Sequence, residues 1–252
     1  MMRSDRSARM VEPLTGESAI GFRRTHLSMP GLSFARVMRL VMALGLSSSL
    51  CVALSITRIL RNRSLAYAFL NWNLVLAWVP LVFAIAFALY AQKKDPSRVV
   101  LATLLAAWFV FFPNAPYLVT DLIHLVHETP RGVMPDVYDS VLFFSFAFSG
   151  LLTGFLSLRL VEEHVRRTWG RFASSITVAL TLTASGFGVY LGRFERFNSW
   201  DVVARPSVLL RGVLSHATHH GPLLVTLLFS VFLGVAYVTV TQVSAALRHE
   251  RI

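Results

Sequence analysis

The chain has 252 residues, of which 55% are hydrophobic and only 15% are charged. A soluble domain carries about 25% charged residues, so the composition indicates an integral membrane protein. The net charge of +11 does not indicate nucleic-acid binding, because the basic residues are spread over the segments between apolar runs. The single cysteine, Cys51, excludes a disulfide within the chain and a cysteine-based metal site.

The N-terminal region is polar, rich in arginine and interrupted by prolines and glycines. It lacks the apolar core and the small-residue cleavage site of a signal peptide. We therefore predict that residues 1–35 form a disordered cytoplasmic tail. Met29 offers a second possible start, so the sequence leaves open whether residues 1–28 belong to the native protein.

Six apolar runs follow, and all but the third, which is short if it stops at Pro113, are close to the ~20 residues that a membrane span needs. They cover roughly residues 39–57, 71–91, 99–113, 138–158, 172–191 and 222–243. We predict an all-α fold, a polytopic helix bundle in which residues 36–245 form one transmembrane domain and residues 246–252 a cytoplasmic tail.

The distribution of Lys and Arg predicts the orientation of the bundle. With the N-terminus inside, the cytoplasmic segments hold twice as many Lys and Arg as the opposite segments. This bias places both termini in the cytoplasm, and we predict a multi-pass protein of the bacterial cytoplasmic (inner) membrane. The segments after the third and fifth spans then share the extracytoplasmic side.

The third span ends in the stretch FFPNAPYLVTDLIHLVHE, residues 111–128. Pro113 and Pro116 lack a backbone N–H, so a helix through them would lose hydrogen bonds to carbonyls four residues earlier. In lipid such carbonyls need another partner, and the Asn114 side chain is suited to that role. We predict that the membrane helix breaks at these prolines.

Beyond the prolines, a helical period places Tyr117, Asp121, His124 and Glu128 on one narrow polar stripe. This pattern predicts an amphipathic interfacial helix over residues 117–128. Asp121 and His124 are suited to act as a catalytic acid–base pair. With Glu128 they are also candidate ligands of a divalent metal. Two other interpretations stay open: the stripe only meets water and headgroups, or it lines a transport pathway.

A second polar cluster, GRFERFNSWD at residues 192–201, ends the fifth span. Arg193 and Arg196 are candidates for binding an anionic group, because guanidinium suits oxyanions. Alternatively, the arginines form a collar at the membrane edge and Asp201 caps a short helix. In a third interpretation Arg193 pairs with Asp121 and joins the two clusters. The residues predicted to support substrate binding are Asn114, Tyr117, Asn198 and Asp201.

Two features near the C-terminal half complete the pattern. Residues 206–217 favour a second interfacial helix, and three histidines follow at positions 216, 219 and 220. Glycines four apart occur at 150 and 154 and again at 188 and 192. Small residues at this spacing let helices pack closely, either within the bundle or in a homo-oligomer.

The two motifs and the six spans resemble a bacterial family of multi-pass integral membrane proteins classed as a domain of unknown function. The resemblance rests on FFPNAPYLVTDLIHL and GRFERFNSWD and covers about residues 40–245. The family has no assigned activity. The resemblance therefore implies architecture and location, and it supplies no catalytic residue.

Two classes of function remain open from the sequence. The first is an extracytoplasmic-face enzyme that acts on a lipid or lipid-linked anionic substrate, with membrane lipids as partners. The second is a non-enzymatic scaffold, assembly factor or transporter. The middles of the spans hold no Asp, Glu, Lys or Arg, which argues against ion-coupled transport. The nearest polar residues are Asn71 and Asn73, at the end of a span. We expect the enzyme or binding interpretation to gain if the two motifs meet in one pocket.

Overall fold

A computed structural model describes residues 28–29, 32–127, 136–216 and 220–249. Most of the predicted tail over residues 1–35 therefore lies outside the described residues. A short antiparallel pair, β1 (Ser28–Met29) and β2 (Leu32–Ser33), precedes the first helix.

The remaining described elements are helices, which confirms the all-α prediction. In chain order they are α1 (Phe34–Asn62), α2 (Phe69–Tyr90), α3 (Arg98–Phe111), α4 (Asn114–Thr120), α5 (Ile123–His127), α6 (Val137–Arg193), α7 (Asp201–Ala204), α8 (Pro206–His216) and α9 (His220–His249). α8 is the second short helix expected near residues 206–217. α9 continues past residue 245, where the sequence predicted a tail to begin.

Five helical segments are long and apolar enough to cross a membrane, and the fourth of them is α6. A straight helix of 57 residues would be about 85 Å long, far beyond a hydrocarbon core of about 30 Å. Gly170 interrupts α6 with φ 86° and ψ 179°, a conformation that residues with a Cβ avoid. Its two limbs, residues 137–169 and 171–193, fold back beside each other, and the Ser174 hydroxyl donates to Glu162 Oε1 at 3.4 Å. Five segments thus supply six crossings, as predicted.

The core lies between α2, the two limbs of α6 and the segment formed by α3 and α4. Its largest fully buried side chains include Phe87, Phe112, Phe143 and Phe146. Leucines and valines on the outward faces of α1 and α9 are largely exposed, for example Leu46 at 75%. A bundle with apolar residues both inside and outside is what a lipid environment requires. The chain is a multi-pass membrane protein.

Ion pairs and hydrogen bonds show which helix ends lie together. Arg58 Nε lies 2.7 Å from Asp139 Oδ1, which joins the end of α1 to the start of α6. The Tyr237 hydroxyl donates to Glu162 at 2.5 Å at the opposite end of the bundle. We call the end that holds residues 58–73, 114–127, 136–139 and 193–202 the motif end. Both sequence motifs lie there, as the six-span topology predicted.

Candidate functional site

The chain passes the two prolines without leaving the helical path. Phe112 and Pro113 both have helical dihedral angles, with φ −55° and −59°. The Ala115 N–H donates to the Phe112 carbonyl at 3.1 Å. The Phe111 carbonyl, which would otherwise accept that bond, accepts from Asn114 Nδ2 at 2.9 Å. The predicted break is therefore only a two-residue interruption, and the next helix begins at Asn114 rather than at residue 117.

The glycine pairs of α6 allow α4 to approach closely. A Cβ at Gly150 would lie 2.7 Å from the backbone oxygen of Ala115, and one at Gly188 would lie 2.8 Å from Cγ of Pro113. Gly154 and Gly192 contact the same segment in the same way. These faces are thus occupied by the chain's own α4. A homo-oligomer formed through them stays a prediction.

Asp121 lies in the turn between α4 and α5 and is only 1% exposed. Its Oδ1 accepts a hydrogen bond from Arg193 Nη2, and its Oδ2 accepts one from Asn73 Nδ2 at 2.9 Å. Arg193 also donates to the Thr120 hydroxyl from Nη2 at 2.8 Å and from Nε at 3.1 Å. The proposed pairing of Arg193 with Asp121 is confirmed, and it joins the two motifs.

The position of Asp121 corrects the predicted interfacial helix over residues 117–128. The helix is divided at residues 121–122. The Asp121 side chain is buried in the bundle rather than exposed to water or headgroups. Asp121 can be buried because Arg193, at the end of α6, forms an ion pair with its carboxylate and compensates the charge. Spacing along one helix does not reveal a partner on another helix.

His124 is the second predicted catalytic residue, and it also contacts Arg193. Its Nε2 lies 3.2 Å from Arg193 Nη1. Because a guanidinium only donates, Nε2 accepts and the ring proton resides on Nδ1. The ring lies between Phe69, at 5.0 Å between centroids, and Phe143, at 6.4 Å. Asp121 and His124 therefore meet at one arginine, and their catalytic role stays a prediction.

The predicted metal site depends on residues that the structure describes only in part. Among the described residues, no three His, Cys, Asp or Glu side chains are grouped so that they could hold a metal ion. Glu128, the third candidate ligand, lies outside the described residues, as does His219. Asp121 and His124 as metal ligands stay a prediction.

A cavity of about 200 Å³ lies at the motif end, and its lining includes Asn73, which binds Asp121, and Gly192, which precedes Arg193. Asn114 and Tyr117 of the first motif line it, opposite Asn198 and Ser199 of the second. Asn114 Nδ2 donates to Ser199 Oγ at 2.9 Å, so the motifs are in direct contact. The other lining residues are mostly apolar or aromatic and are Trp72, Leu76, Val110, Pro113, Gly188, Leu191, Phe197, Val202 and Leu209.

Asp201 shapes the loop that forms one wall of the cavity. It is 1% exposed and accepts from the Asn198 backbone N–H at 2.8 Å and from Arg205 at 2.9 Å. The Asn198 N–H, followed by Arg205, holds the pKa of this carboxyl below its usual range. Asp201 thus positions this loop, and its predicted support of substrate binding stays a prediction.

Arg196, the other arginine predicted to bind an anionic group, is exposed and has a positive φ of 58°. It makes no hydrogen bond or ion pair with the part of the chain that the structure describes. It does not line the cavity, so an anion-binding role for Arg196 stays a prediction.

Several residues of this site were not singled out as site residues from the sequence. Asn73 was noted only as a polar residue at a span end, Thr120 and Ser199 only as members of the two motifs, and Trp72 not at all. Asn73 comes from α2, 48 positions before its partner Asp121. The only sequence signal for this contact was the amide side chain of Asn73 within an apolar helix.

Comparison with known protein families gives a match over most of the membrane domain. Residues 72–235, more than half of the chain, match the family described as Protein of unknown function (DUF1361). This range holds every residue that lines the cavity and the Asp121–Arg193 pair. No curated protein and no solved structure matches the chain. The chain therefore belongs to the DUF1361 family, as its two motifs and six spans suggested.

Proposed function

We propose that this membrane protein binds the head group of a lipid or lipid-linked molecule in the cavity between its two motifs. The observation that carries the proposal is the cavity itself, a recess with amide and hydroxyl groups among apolar walls. Its volume of about 200 Å³ is below the range of about 300–1,000 Å³ for pockets that take a whole drug-sized ligand. It is suited to a head group whose chains remain in the bilayer.

The proposal also specifies which membrane holds the protein and which side of that membrane the cavity faces. The bias of Lys and Arg toward one set of segments supports a bacterial cytoplasmic membrane with both termini inside. In that orientation the motif end faces outward, and the cavity takes its ligand from the extracytoplasmic leaflet.

Binding is better supported than catalysis. Of the described residues that line the cavity, none is acidic, basic or a histidine. Asp121 uses both carboxylate oxygens on Arg193 and Asn73, and His124 accepts from the same Arg193. An enzyme with Asp121 and His124 as its acid–base pair is the alternative. It requires a substrate that displaces Arg193 from both groups.

The test is native mass spectrometry of the protein extracted from its own membrane. Val202 lines the cavity and Val203, its neighbour, is 86% exposed and does not. Val202→Trp fills the cavity, and Val203→Trp adds the same side chain outside it. We expect wild type and Val203→Trp to retain one class of lipid that Val202→Trp loses. The same bound lipids in all three proteins would contradict the proposal.

A further inference from the structure

We infer that the head group bound in this cavity is uncharged and rich in hydroxyl groups, such as a glycosyl or other polyol group. The inference rests on the proposed function and specifies its ligand. It follows from which hydrogen-bonding atoms of the lining residues the protein already uses and which it leaves for a ligand.

Asn114 leaves only an acceptor. Its amide nitrogen donates to the Phe111 carbonyl and to Ser199 Oγ, both at 2.9 Å. A carbonyl cannot donate, so the nitrogen must face it and the amide cannot be turned round. Both N–H groups are thereby used, and within the described residues Oδ1 has no partner.

Asn73 has the same arrangement. Its Nδ2 donates to Asp121 Oδ2 at 2.9 Å. Arg193 donates to the other carboxylate oxygen of Asp121, and this ion pair favours the form of the carboxyl group that accepts from the Asn73 amide. The Asn73 Oδ1 makes no hydrogen bond to any residue that the structure describes. Two amide oxygens are thus available at the cavity.

Two hydroxyl groups and the Asn198 amide complete the polar lining. Ser199 Oγ accepts from Asn114, which leaves its own proton to donate. The Tyr117 hydroxyl both donates and accepts. A ligand hydroxyl also does both, so it can donate to an amide oxygen and accept from Ser199 or Tyr117. A phosphate oxygen only accepts, so it could bind the donors of Ser199, Tyr117 or Asn198 but would leave the amide oxygens of Asn73 and Asn114 without a donor.

The charge near the cavity and the shape of its lining also favour an uncharged, hydroxyl-rich head group. The guanidinium of Arg193, which follows the lining residue Gly192, already binds Asp121, Thr120 and His124, so it offers little to an anion. Trp72 lines the cavity and is 57% exposed. Its flat face can cover the apolar face of a sugar ring, because an aromatic side chain supplies a rigid apolar surface.

The test uses three probes on protein purified in a zwitterionic detergent that has no sugar. They are octyl glucoside, octyl phosphate and methyl glucoside, which has no alkyl chain. Binding is measured by native mass spectrometry titration of wild type, Tyr117→Phe and Trp72→Ala. The matched controls are Tyr90→Phe, which lies at the opposite end, and Trp200→Ala, at the motif end but outside the cavity lining.

We expect octyl glucoside to bind wild type more tightly than octyl phosphate does. Tyr117→Phe and Trp72→Ala should each weaken the glucoside about fivefold to tenfold, and the two controls should not. Tighter binding of octyl phosphate, or no effect of Tyr117→Phe and Trp72→Ala, would overturn the inference and leave the proposed function intact. Equal binding of methyl glucoside and octyl glucoside would support the hydroxyl-rich ligand but contradict a lipid source. If no probe binds, both proposals fail.

Discussion

Replacing Arg193 by methionine would leave the buried carboxyl group of Asp121 without the cation that compensates its charge. Asp121 is 1% exposed, and after the substitution its only remaining side-chain donor among those described is the neutral amide of Asn73. Removing one partner of a buried ion pair costs about 3–5 kcal/mol, because the other charge stays desolvated and uncompensated. We therefore expect Arg193→Met to lower the free energy of unfolding by about that amount.

A second Arg–Asp pair of the chain provides the control. Asp201 is also 1% exposed, but the side chain of its partner Arg205 is 59% exposed and already meets solvent. Arg205→Met should cost about 1 kcal/mol or less, because water replaces an exposed guanidinium and the Asn198 N–H still binds Asp201. The assay is unfolding by dodecyl sulfate in mixed micelles, followed by circular dichroism.

The double variant Asp121→Asn/Arg193→Met separates charge from packing. Neutralising Asp121 removes the uncompensated charge, so the double variant should regain most of the stability that Arg193→Met loses. Equal losses for Arg193→Met and Arg205→Met would refute the reasoning. A double variant no more stable than Arg193→Met alone would refute it as well.

Three further predictions concern the scaffold. Gly150→Ala should destabilise the bundle by about 1–3 kcal/mol, because its Cβ would lie 2.7 Å from a backbone oxygen of α4. The control Gly234→Ala should leave stability unchanged, because a Cβ there would have no atom within 4 Å. Equal unfolding midpoints for the two variants would contradict the close packing of α4 on Gly150. Gly170→Ala should lower the free energy of unfolding by about 1–3 kcal/mol through backbone strain alone, because the φ of residue 170 is 86° and a Cβ there would contact no other atom. An unchanged thermal midpoint would show that the turn does not need glycine. The pKa of Asp201 is lowered in the folded protein, so its contribution to stability is present above its unfolded pKa and is lost as the pH falls through the folded value. Wild type should therefore lose more stability than Asp201→Asn between neutral pH and about pH 3 in parallel unfolding titrations, and identical pH profiles would contradict that role.

The helices were predictable because the signal for a span is local and long. The apolar runs predicted six crossings, and the structure supplies them, including the turn at Gly170 between the fourth and fifth. That turn lies among the arginines around residues 159–171, which the sequence analysis placed outside the membrane. Such signals need no knowledge of neighbouring helices.

The passage at Pro113 and Pro116 was only partly predictable. The rule that prolines remove backbone hydrogen bonds is correct, but it does not count replacements. Here the Ala115 N–H satisfies the Phe112 carbonyl, which Pro116 leaves without its usual donor, and the Asn114 side chain satisfies the Phe111 carbonyl that Ala115 gives up. The glycines of α6 let this segment pack at close range. The helical path therefore resumes after a two-residue interruption where the pattern predicted a break.

The site depends on contacts that are distant in sequence. Asn114 and Ser199 are 85 positions apart, and Asn73 reaches Asp121 from another helix. The pairing of Arg193 with Asp121 was one of three interpretations, and residue types alone could not choose among them. The contribution of α2 through Trp72 and Asn73 requires the packed bundle.

The central claim is that a lipid head group occupies the cavity at the motif end. The most direct measurement places a photoreactive p-benzoylphenylalanine at Trp72, which lines the cavity, and at Trp200, which lies at the same end outside its lining. Membranes are irradiated, and the lipid attached to each purified protein is identified by mass spectrometry. We expect one hydroxyl-rich class of lipid at position 72 and the bulk lipid mixture at position 200. Bulk lipids in the same proportions at both positions would contradict it.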